Sequence, residues 1–143
     1  MGTSLITPFM SIALGATIIS VVTIAFGGTF LLRVVTGTTD TNDLQKSFFR
    51  AGHAHAGVLV MLGVLLAVLG NTAGASPAWA DSGALAVLVA AILMPGGFFL
   101  SVLGRNPVRP NRMIASVWLG ATLLVTGVLM SGVATLLAGI HRL

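Results

Sequence analysis

The sequence predicts an all-α integral membrane protein, a four-helix transmembrane bundle, from its composition and from the spacing of its apolar runs. Of its 143 residues 56% are hydrophobic and 7% charged, with a mean hydropathy of +1.05. Soluble domains carry about 25% charged residues, so this surface suits lipid rather than water. Four apolar runs reach the roughly 20 residues that a bilayer core demands, and polar residues gather between them.

The first helix is expected over residues 8–35, with Pro8 in the tolerated first turn. The opening MGTSLITPFMSIALG lacks the cationic stretch of a signal peptide and reads as the start of that helix. The MG start is compatible with myristoylation, but a first spanning helix makes such an anchor redundant. A polar connection, TGTTDTNDLQK, leads into a second helix over residues 48–70, with Asp43 as the expected N-cap. The third helix is expected over 82–104, after NTAGASPAWAD with its interfacial Trp79. The fourth is expected over 111–140, after the short turn RNPVRPNR. One transmembrane domain then accounts for residues 1–143.

Charge orients the bundle. Arg33, Lys46, Arg50, Arg105, Arg109 and Arg112 fall at the first and third connections, and Arg142 stands alone at the other end. The positive-inside rule makes the six-cation end cytoplasmic and puts both termini outside. Seven cations distributed in this way fit membrane topology and exclude nucleic acid as a partner. With no cysteine, thiolate metal sites, iron–sulfur clusters and thiol nucleophiles are excluded.

Chemistry concentrates in FFRAGHAHAGVLVML, residues 48–62. Ionisable groups inside membranes tend to be functional, and His53 and His55 enter the membrane here. Residues two apart on a helix point about 200° apart, so one regular helix cannot aim both at one ion. His55 lies deeper and precedes Ala56-Gly57, which leaves clearance for a flat macrocycle. The bland alternative, an interfacial pair bonded to loops, weighs more heavily on His53. A centre built from protein ligands alone is poorly supplied, because there is no Glu or Cys and the three Asp lie in or beside connections. Haem needs one protein histidine, since the porphyrin supplies four ligands. Its propionates would want cations, and Arg50, Arg105, Arg109 and Arg112 share the end of the bundle with His55.

The pattern Arg50-Ala51 followed by His55-Ala56-Gly57, opening the second of four helices, resembles the styrene oxide isomerase family. There the motif is Arg-Ala-His-x-Gly, without the extra Gly52-His53-Ala54. Gly96-Gly97-Phe98-Phe99-Leu100-Ser101 and Arg109-Pro110-Asn111-Arg112 are similar to that family's third helix and the loop after it. The resemblance implies a homotrimer with haem b between subunits, His55 as axial ligand, and cofactor contacts from His53, Arg50, Gly57, Arg109 and Arg112. It also implies redox-neutral isomerisation of a small lipophilic epoxide to a carbonyl compound, with ferric haem as Lewis acid and Met61, Phe98 and Phe99 lining the pocket. Met61 stands where the family has an active-site Asn, and Phe98 where it has a Tyr; this chain has no tyrosine.

Other polar or bulky residues have ordinary readings. Ser116, Thr122, Thr126, Ser131 and Thr135 are expected to back-bond or join helices, Trp118 to pack, and Pro95 to kink its helix. Met61 or Met94 could serve as a second axial ligand. Three functions compete: a haem isomerase, a haem sensor or electron relay, and a cofactor-free transporter or accessory subunit. Buried acids, expected along an ion path, are missing from the apolar runs.

Overall fold

A computed structural model describes residues 6–143; the chain start with Gly2 lies outside the described residues. It contains four helices, α1 (Pro8–Val35), α2 (Asp43–Thr72), α3 (Pro77–Ser101) and α4 (Ile114–Ile140). Each is long and apolar enough to cross a membrane. The protein is a multi-pass, all-α membrane protein.

Helix α1 keeps its expected bounds, and the other three shift for local reasons. Asn42, not Asp43, caps α2: its side chain accepts from the Gln45 amide at 2.9 Å, and the Gln45 side chain accepts from the Asn42 amide at 3.2 Å. This reciprocal box starts the helix five residues before the apolar run. Gln45 also donates to the carbonyls of Val102 and Gly104, fastening the start of α2 to the end of α3. Pro77 in the first turn starts α3 early, and α3 stops at Ser101 instead of 104. Asn111 belongs to the turn before α4. It donates to the Leu100 carbonyl at 2.9 Å and accepts from the Met113 amide at 2.8 Å, serving orphan backbone groups of both helices.

Gly37 and Gly74 end α1 and α2 in the left-handed conformation, at φ of 76° and 63°. After Gly74 the amide of Ala75 reaches back to the Gly70 carbonyl, and the Gly74 amide to that of Asn71, a Schellman closure. Helix α3 continues through Pro95, so the proline does not end the helix.

The best-packed seam joins α3 to α4. A Cβ on Gly127 would lie 2.5 Å from the Gly83 carbonyl, and one on Gly97 would lie 2.7 Å from the Val117 amide. Small residues therefore let the backbones touch, the usual basis of close helix association in lipid. Ser116 joins the seam by donating to the Leu93 carbonyl at 2.9 Å. Ser131 is buried against Gly83, and its hydroxyl has no partner among the described residues. Trp118, read as a packing residue, is instead 72% exposed.

Helix α1 is the peripheral element. Half of the most apolar stretch of α3 is buried inside the protein, against 11% of that of α1. Near its start Met10 and Leu14 pack with Ala67, Ala84 and Leu88, and near its end Val34 packs with Phe49 and Val102. Between these anchor points a cleft of about 430 Å³ separates α1 from α2 and α3. Asp81 joins three helices at the end remote from the six cations, accepting from Thr7 at 3.2 Å and Asn71 at 3.3 Å.

Candidate functional site

The early start of α2 sets the position of the histidines. His55 lies twelve residues past Asp43, about 18 Å along the helix at ~1.5 Å per residue. Both histidines are half-buried, and they face opposite neighbours, as their two-residue spacing predicts.

His53 faces α1. Its ring lies over Gly27 and Gly28, and a Cβ on either glycine would be 3.7 Å from it. Ala56 and Gly57 follow at i+3 and i+4 and so share the His53 side of α2, not the His55 side. The clearance read beside His55 in the sequence is therefore clearance beside His53. Gly27 and Gly28 are the small residues that meet the imidazole between the two helices, while Gly57 borders open space.

His55 lies on the other side. Its Nδ1 is 2.7 Å from the Ala51 carbonyl oxygen. A carbonyl only accepts, so Nδ1 carries the proton and donates, which leaves Nε2 with its lone pair in the neutral ring. His141 makes the same bond to Leu137 at 2.7 Å, so the bond by itself is a local habit of helical histidine. What distinguishes His55 is its setting. Its ring centroid lies 5.1 Å from that of Phe98, tilted by 39°. One turn on, Leu59 packs with Met94 of α3, in a cluster that Val117 and Ala121 of α4 adjoin. The imidazole thus lies above Phe98 on the side of α2 turned toward α4.

Phe98 belongs to an aromatic wall. It meets Phe48 edge-on at 5.7 Å, Phe49 stacks on Phe99 at 5.4 Å, and Phe30 meets Phe49 edge-on at 5.4 Å. Gly52 makes this possible, since a Cβ there would lie 2.9 Å from the Phe99 ring and 3.2 Å from the Phe98 Cβ. In the sequence Gly52 stands only within the Gly52-His53-Ala54 stretch that separates Arg50-Ala51 from His55. Its role becomes visible once α3 is laid against α2.

The remaining expected site residues are not gathered around His55 within one chain. Arg50 is exposed and, five residues earlier, lies about 140° around α2. Met61 is 74% exposed, about 120° around on the same outward stripe. Arg109 and Arg112 are exposed in the connection between α3 and α4. Among the described residues the one ion pair joins Lys46 to Asp43 at 3.7 Å, which leaves these arginines unpaired by carboxylates. No three His, Cys, Asp or Glu side chains come together among the described residues. Among the described residues His55 therefore offers a single imidazole, with no cluster of His, Cys, Asp or Glu around it.

No family model, curated protein or solved structure matches the chain.

Proposed function

We propose that this is a haem b protein of the cell membrane, with His55 as axial ligand, that isomerises a small lipophilic epoxide to a carbonyl compound. The observation that carries the reading is the state of His55. Its Nδ1–H is held by the Ala51 carbonyl, its Nε2 is left as a donor to iron, and Phe98 walls its ring. A hydrogen bond from the second ring nitrogen is the usual orienting contact of a metal-bound histidine. The motif resemblance to styrene oxide isomerases adds the reaction type. Bound haem would supply a Lewis-acidic iron; the chain supplies the imidazole, its orientation and an apolar surround that excludes water.

Arg50, Arg109 and Arg112 are assigned to the propionates, and Met61 to the pocket wall. Their outward positions require a second copy of the chain against the exposed stripe of α2, in line with a homotrimer holding haem between subunits. The six-cation end is assigned to the cytoplasm. The replacement of the family's polar pocket residues by Met61 and Phe98 favours a second reading: haem is kept, and the protein is a sensor or electron relay.

The test is a visible spectrum of detergent-purified protein, oxidised and then reduced with dithionite. A Soret band is expected, lost in His55→Ala and retained in His53→Ala. Folded protein that stays colourless after haem is supplied would overturn the proposal. With the band in place, conversion of an aryl epoxide to its aldehyde separates the isomerase from the sensor or relay.

A further inference from the structure

At the end of the bundle remote from the six cations, a groove of about 540 Å³ runs between the start of α3 and the end of α4. Its floor is apolar, formed by Val133, Leu137 and Ala138, and Trp79, His141 and Arg142 stand at its mouth. Trp79 is 56% exposed there, a side chain with an apolar body and a polar tip suited to the lipid–water boundary. Arg142 folds back over the turn between α2 and α3, where a Cβ on Gly74 would lie 2.5 Å from its guanidinium. Glycine at φ of 63° both makes that turn and leaves room for the arginine.

Arg142 is exposed, so its charge is open to an anion from outside the chain. Among the described residues no carboxylate lies within ion-pair distance of Arg142, and every other Lys or Arg belongs to the opposite end. A guanidinium presents a planar fork that matches phosphate. The floor beside it has no charged side chain and offers a path for a hydrocarbon chain between two helices. We infer that this groove binds one anionic glycerophospholipid, with its phosphate at Arg142 and an acyl chain along Val133, Leu137 and Ala138. The site is independent of His55 and of any cofactor bound there.

Trp79 provides a local reporter. The only other tryptophan, Trp118, lies near the start of α4 at the other end and is exposed, so Trp118→Phe leaves Trp79 as the sole fluorophore. Full-length Trp118→Phe protein is reconstituted with phosphatidylglycerol or phosphatidylcholine carrying brominated acyl chains, and quenching of Trp79 is followed against lipid fraction. Brominated phosphatidylglycerol is expected to reach half-quenching at a roughly fivefold lower fraction than phosphatidylcholine, the selectivity one near-surface arginine gives. Adding Arg142→Gln should abolish that difference, and adding Ala138→Phe should weaken quenching by both lipids. Equal quenching by the two lipids, or a selectivity that survives Arg142→Gln, would overturn the inference. Quenching by neither would also overturn it and would mean that protein covers the groove.

Discussion

His53 and His55 are two residues apart on one helix and meet opposite environments. His53 lies against a glycine pair on α1. His55 has one ring nitrogen tied to its own backbone and its ring against a phenylalanine of α3. The first setting is that of a side chain filling a helix contact, and the second that of a side chain with one ring nitrogen bonded to its own helix. The contrast teaches that spacing alone assigns faces, whereas the partner helix decides what each face is for. The largest effect should therefore come from removing each ring in turn. His55→Ala is expected to lose all bound haem, and added imidazole to restore part of the Soret band by occupying the vacated space above Phe98. His53→Ala should keep the band and lower the thermal midpoint in detergent. If the two variants behave alike, or if imidazole rescues His53→Ala instead, the assignment of roles is reversed.

The next largest effect is expected at Gly52, on the His55 side of the comparison. A methyl group there would enter the Phe98–Phe99 wall at distances of 2.9–3.2 Å. Overpacking of this kind costs about 1–3 kcal/mol. Gly52→Ala should lower the melting temperature and shift the Soret maximum, because Phe98 must move and the His55 ring rests on it. A variant as stable as the parent with an unchanged spectrum would show that the wall has slack and does not fix the imidazole.

Much of this was legible in the sequence. The four helices follow from apolar run length, and the opposed directions of the histidines follow from 3.6 residues per turn. Apolar run length does not mark the start of α2 at Asp43, because Asp43, Lys46 and Arg50 make its first turns polar. The capping pair Asn42 and Gln45 was the available signal. Gly57 neighbours His55 in sequence but not in space; at i+4 from His53 it shares that side of the helix. The Gly52 contact could not be read, since it depends on the register of α3 against α2, which no local pattern specifies. Met61 and Arg50 lie away from His55 in one chain, so their expected roles depend on how copies assemble.

A smaller effect is expected where α1 meets His53. Gly28→Leu puts a branched side chain where the His53 ring now rests. It should push α1 away and lower stability by roughly 1 kcal/mol, at the low end of overpacking costs because α1 is peripheral and can yield. The Soret band should be untouched. Loss of haem in this variant would mean that the α1 contact, and not the Ala51 carbonyl, positions the ligand.

The smallest effect, and the finest test of the contrast, is Gly27→Ala. The added methyl group would lie 3.7 Å from the His53 Nδ1, an ordinary van der Waals separation that requires nothing to move. Alanine favours helix over glycine by up to about 1 kcal/mol in water-exposed helices, and the contact adds a little dispersion energy. The melting temperature in detergent is therefore expected to stay the same or rise slightly, with the haem spectrum unchanged. A clear fall would mean that the space beside His53 is used by something larger than a methyl group can share, and the reading of His53 as a packing residue would then give way to His53 as the second ligand-bearing face of α2.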